Sequence, residues 1–180
     1  MPAEIEAIQG GGGCADLIAR SLSHIEDESV TKVGSYAFAH YSDLAGVSFP
    51  NCERIDSEAF SQCENLGYEG MMTFPNCRSI GEYAFYQCYS LSQISLPACT
   101  SIDDYAFAYC SNLVSVYLSG SSVLSITSYN VFDGTPFGRS FSGSTPAGVS
   151  QYGVYVPSNL WSSYMNHSQW SNFYIHLYSY

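Results

Sequence analysis

Apolar residues recur along this chain at an interval far longer than the period of a single strand or helix. The segments VGSYAF, IDSEAF, IGEYAF and IDDYAF end at Phe38, Phe60, Phe85 and Phe107, and a looser copy, TSYNVF, ends at Phe132, so successive phenylalanines stand 22, 25, 22 and 25 residues apart. A small residue precedes four of them (Ala37, Ala59, Ala84, Ala106), which suits a tight turn between closely packed coils. Six residues after the phenylalanine comes a leucine (Leu44, Leu66, Leu91, Leu113), then a run such as LSQISLP or LVSVYL, whose period-two alternation marks a half-buried strand. A β-branched residue opens each copy five positions before its phenylalanine: Val33, Ile55, Ile80 and Ile102, with Thr127 beside Ile126 in the last.

A unit this short cannot bury its apolar side alone, so units must stack and share one core. The expected fold is an α/β-type repeat solenoid. It is a short leucine-rich-repeat stack of about five coils, with one strand per repeat, irregular turns or short helices between them, and a cap at each end. The three extra residues of the second copy fit an outward loop at GYEGMM, and those of the fourth fall in the serine-rich SGSSVLS.

The pattern I-x-x-Y-A-F-x-x-C-x-x-L-x-x-I-x-L-P resembles the BspA-like leucine-rich repeats of bacterial surface proteins and some phage proteins, strongly from Val33 to Leu118. CADLIARSLSHIEDESVTK is similar to the degenerate opening coil of such arrays, and YGVYVPSNLWSSYMNHSQWSNFYI to their closing cap. Tyr41, where later copies have Cys, and Val131, in place of the repeat alanine, depart from the pattern. The resemblance implies a part in attachment of bacteria or phage to other surfaces.

The chain divides accordingly. Residues 1–13, with four glycines at Gly10 to Gly13, read as a flexible tether, 14–32 as an N-terminal cap carrying Glu26, Asp27 and Glu28, 33–138 as the repeats, and 139–180 as a C-terminal loop and cap. Within that cap, Tyr152 to Val156 reads as a strand, Ser158 as an N-cap and Asn159 to Met165 as a short helix.

Charge narrows the partners. Five Lys and Arg against 16 Asp and Glu leave a net charge of −11, and Lys32, Arg20, Arg54, Arg78 and Arg139 are scattered. Nucleic acid, whose phosphates demand clustered cations, and anionic membrane surfaces are poor partners. No apolar run is long enough for membrane insertion, and MPAEIEAIQGGGG lacks the basic and apolar regions of a secretory signal. The chain then stays inside, is a piece of a longer protein, or reaches an extracellular surface or virion by another route after cytoplasmic synthesis.

Six of the seven cysteines lie on the repeat lattice: Cys63, Cys88 and Cys110 three after the phenylalanine, and Cys52, Cys77 and Cys99 after the strands. Zinc needs converging close pairs, and a disulfide needs Cβ atoms closer than stacked rungs allow. The spacing favours thiols as small buried hydrophobes, with Cys14 the exposed one. His24, His40, His167 and His176 form no ligand pair. No G-x-S-x-G or P-loop occurs, and Asp103 and Asp104 read as turn residues. The chain offers no catalytic site and calls for no cofactor or metal.

The tyrosines carry the functional expectation. Tyr36, Tyr83 and Tyr105 share the place two before the repeat phenylalanine, Tyr86, Tyr89 and Tyr109 lie just beyond it, and Tyr117 faces outward from a strand. Two readings stay open: a Tyr/Ser stripe with paratope-like chemistry, or rings that shingle over one another to seal a thin core. The expected function is a non-enzymatic binding or adhesion module that recognises a protein or glycan on a cell surface, within a bacterial surface protein or as a phage structural or receptor-binding component. The alternative is a purely structural spacer or assembly subunit contacting sister subunits.

Overall fold

A computed structural model describes residues 3–5, 23–138, 153–171 and 177–180. The alternating run after each repeat leucine forms a strand, and so does the β-branched residue that opens the next copy. The stack therefore differs from the expected single strand per repeat: each coil contributes two. The physical reason is that Val33, Ile55, Ile80 and Ile102 each extend one residue backwards in β conformation and pair with the coil beside them.

The first set comprises β4 (Gly46–Ser48), β6 (Met72–Thr73), β8 (Gln93–Ser95), β10 (Ser115–Tyr117), β12 (Gly153–Val156) and β13 (Leu177–Ser179), with β2 (His24–Glu26) before them. The second comprises β1 (Ala3–Ile5), β3 (Val30–Val33), β5 (Arg54–Ile55), β7 (Ser79–Ile80), β9 (Ser101–Ile102) and β11 (Ser125–Ile126). They form a six-stranded sheet ordered β1-β3-β5-β7-β9-β11, a five-stranded sheet ordered β13-β12-β10-β8-β6, and the pair β2-β4. Every pairing is parallel, and equivalent residues face one another, as in Ile55↔Ile80, Ile80↔Ile102 and Ile94↔Val116. The result is a parallel β-solenoid with little helix. Residues 24–26 and 30–32, placed in the cap by sequence, supply with Val33 the two strands of the first coil, and Ala3–Ile5, placed in the tether, pairs with β3. Gly10 to Gly13, Cys14, Arg20, Arg139 and His176 lie outside the described residues.

The third side of each coil is the turn that carries the repeat phenylalanine. Here the residues two before and two after it adopt left-handed backbone: Tyr36 and His40, Glu58 and Gln62, Tyr83 and Gln87, Tyr105 and Tyr109, with φ between 54° and 65°. Alternation of left- and right-handed residues points every second N–H the same way along the stack. Tyr36, Phe38 and His40 donate to the carbonyls of Ser57, Ala59 and Ser61, and Glu58, Phe60 and Gln62 donate in turn to Glu82, Ala84 and Tyr86. The intervening N–H groups close turns within their own coil, as from Ala37 to Gly34 and Ala59 to Asp56. Backbone pairing thus offsets a steric cost of about 1 kcal/mol per left-handed residue.

Inside, the repeat phenylalanines stack. Phe38, Phe60, Phe85, Phe107 and Phe132 follow one another with ring centroids 5.2, 5.3, 5.2 and 5.7 Å apart and planes within 15° of parallel. Leu44, Leu66, Leu91 and Leu113 are buried beside them. The C-terminal cap closes the column: Trp170 lies against Phe132, its Nε1 donates to the Leu124 carbonyl at 2.7 Å, and the Tyr164 hydroxyl accepts from the Leu124 amide at 2.9 Å. The cap helix α1 runs Trp161–Met165 with Leu160 at the capping position and no side-chain cap. Ser158, expected there, lies before the helix, where its carbonyl accepts the Trp161 amide and its own amide donates to the Tyr180 carbonyl. No helix among the described residues is long and apolar enough to cross a membrane.

Candidate functional site

Thiols on the lattice are buried and reduced, and they do more than fill space. Cys63, Cys88 and Cys110 donate to the carbonyls of Phe38, Phe60 and Phe85 in the preceding coil at 2.9, 3.1 and 3.0 Å. Cys52, Cys77 and Cys99 donate to the carbonyl two residues on, each at 3.3 Å. Desolvation pushes the thiols of Cys63 and Cys99 up to about 12 and raises Cys52, Cys77 and Cys88 as well. Such groups are poor nucleophiles and poor ligands. Tyr41 takes the Cys63 position in the first coil and turns its ring edge onto Phe38.

Carboxylates and histidines behave as turn and surface groups. Asp104 accepts the Tyr105 amide at 3.1 Å and also the Ser128 hydroxyl, while His24 pairs with Glu69 of the GYEGMM loop at 3.0 Å. Among the described residues no group of three or more His, Cys, Asp or Glu is arranged to hold a metal. An open polar cleft of about 430 Å³ runs along the corner between the six-stranded sheet and the turns. Asp56, Gly81 and Asp103 line it; Arg54, also in the lining, and Lys32 both face Asp56, at 2.7 and 3.4 Å.

The candidate tyrosines separate into three groups. Tyr83, Tyr86, Tyr105 and Tyr109 come together on the turn face: Tyr83 and Tyr105 stack at 5.0 Å with planes 2° apart, and Tyr86 stands edge-on to both Tyr83 and Tyr109, at 5.3 and 5.6 Å. Tyr89 is exposed beside them and close enough to Tyr86 and Glu64 to feel both. Gly134, with φ 70°, provides the seat for Tyr109, since a Cβ there would stand 2.7 Å from the ring. Burial by neighbouring rings, then the charges of Glu82 and Asp104, raise the Tyr83 phenol; burial, Asp104 and Asp133 do the same for Tyr105. The cluster is therefore hydroxylated and edged by carboxylates.

Tyr36 is not part of it. In the second coil its column is occupied by Glu58, and the Tyr36 hydroxyl donates to Glu58 Oε1 at 2.5 Å. Tyr117 lies on another face, the outward side of the five-stranded sheet, where it stacks on Tyr155 at 4.8 Å, and Tyr155 on Tyr178 at 5.3 Å. Tyr155 and Tyr178 were missed from sequence, although aligning YGVYVP with the preceding SVYLS puts Tyr155 beside Tyr117.

With the coil count, the parallel ladders and the phenylalanine column in place, comparison with known families is decisive. A model of the BspA type leucine rich repeat region, in six copies, matches residues 31–142. The chain belongs to this family. Among curated proteins none matches it. BspA-type repeats are in general non-catalytic, protein-binding modules of surface proteins. The six matched copies lie within residues 31–142, and β12 and β13 continue the five-stranded sheet beyond that range.

Proposed function

We propose that this BspA-type repeat protein is an adhesion module that engages a protein on a cell surface through Tyr83, Tyr86, Tyr105 and Tyr109. The observation that carries the reading is the mutual packing of these four rings over the fully buried phenylalanine column. Rings already held by one another lose little freedom on binding, and each supplies a broad contact with a hydroxyl at its edge. Carboxylates at Glu64, Glu82, Asp104 and Asp133 surround the cluster, so the fitting partner has an apolar or planar centre and a basic rim.

The test is a Tyr83→Ser, Tyr105→Ser double variant, compared with the parent for attachment to bacterial cell envelopes and for melting temperature. Loss of attachment with the melting temperature held supports the reading. A large fall in melting temperature with attachment intact means that the rings serve to seal the core. Mass spectrometry of cell envelopes and of purified virions tells whether a bacterial or a phage surface carries the chain.

A further inference from the structure

The second row of tyrosines differs from the first in charge and in shape. Outward positions of the five-stranded sheet align in register as Thr73, Ser95, Tyr117, Tyr155 and Tyr178. The three rings form a ladder at the strand spacing, then the row steps abruptly from a ring to the small side chains of Ser95 and Thr73. Among the described residues Tyr117 has a ring partner on the Tyr155 side only. The neighbouring outward column runs Met71, Gln93, Ser115 and Gly153, with Met71 exposed at its far end. The step therefore forms a slot with an aromatic wall at Tyr117 and a floor of hydroxyls and an amide.

Among the described residues neither outward column carries an acid or a base, on a chain whose net charge is −11. A face so neutral neither attracts cations nor excludes uncharged polymers, in contrast to the acid-edged cluster on the turns. The electron-rich face of a tyrosine favours polarised C–H groups laid flat against it, and Ser95, Thr73 and Gln93 can each give and accept hydrogen bonds. A protein anchor would want a deep apolar pocket at the centre of the patch, whereas the floor of this slot is Ser95, Thr73 and Gln93.

We infer that the slot beside Tyr117 binds a neutral glycan, with one pyranose ring taking the place of the missing fourth rung. The sugar lies against the Tyr117 face and its edge hydroxyls meet Ser95, Thr73 and Gln93. This site is separate from the turn-face cluster and stands whether or not that cluster binds protein.

Affinity electrophoresis of the full chain in native gels containing galactomannan, xyloglucan or a soluble α-glucan tests it, with polygalacturonate as the anionic counterpart. At least one neutral polysaccharide should retard the parent, and Tyr117→Ser should weaken that retardation tenfold or more. Ser95→Tyr is the second arm, because it extends the ring ladder and fills the slot: it should abolish retardation while melting at or above the parent temperature. The Tyr83→Ser, Tyr105→Ser variant should be retarded like the parent. No retardation by any neutral polysaccharide, retardation by polygalacturonate alone, or retardation that survives Ser95→Tyr would each overturn the assignment.

Discussion

At the residue scale, a thiol in this stack is a hydrogen-bond donor as much as a hydrophobe. The carbonyls of Phe38, Phe60 and Phe85 each accept an amide within their own turn and, from the next coil, the thiol of Cys63, Cys88 and Cys110 respectively. Alanine at these places would leave the second contact unmade and a void behind it. Burial raises the Cys63 and Cys88 thiols above their unfolded values, so their contribution to stability is complete below about pH 8.5 and is lost as pH climbs toward the folded values. Urea unfolding under reducing conditions should accordingly give a midpoint that is level from pH 6 to 8 and falls above pH 9; a Cys63→Ala, Cys88→Ala variant should fall less steeply. Equal slopes would mean that the thiols ionise alike in both states. Burial of the six lattice cysteines was legible from their spacing, but their donor role was not, because spacing places a side chain without showing which carbonyl lies opposite it. The left-handed residues were illegible for a related reason. Tyr, His, Glu and Gln at those positions carry no glycine or asparagine signal, and the conformation is imposed by cross-coil bonds that form only once the next coil is present.

At the scale of the element, the spacing between rungs is set where backbone meets backbone most closely. A Cβ at Gly81 would stand 2.5 Å from the Ser57 amide nitrogen and 2.7 Å from the Asp56 carbonyl carbon, so even a methyl group must push two coils apart. Gly81→Ala should cost about 1–3 kcal/mol, the range for overpacking, measured by urea denaturation; a variant as stable as the parent would show that the turn relaxes freely. The two-residue strands β5, β7, β9 and β11 lie beside this approach and are too short to show alternation. That is why the sequence pattern marked only their β-branched residue and not their pairing. The longer alternating runs were readable, and so was the column shared by Tyr83 and Tyr105. Tyr36 and Tyr117 stand apart from the four packed rings, Tyr36 because Glu58 interrupts its column and Tyr117 because its strand faces outward on another side of the coil.

At the scale of the whole molecule, one column of rings runs from the first coil to the C-terminal cap, and both tyrosine surfaces are mounted on the coils that it orders. Each repeat buries its apolar side only against its neighbours, so damage at one rung must be felt along the stack. The most direct measurement is urea unfolding of Phe85→Ala, followed at once by circular dichroism for the entire stack and by fluorescence of Trp161 and Trp170, which lie in the cap two coils beyond the changed rung. A continuous core predicts that both signals lose about 3–5 kcal/mol, the cost of truncating a buried Phe, at a single shared midpoint. A tryptophan signal that keeps the parent's midpoint while the rest of the stack unfolds would contradict it.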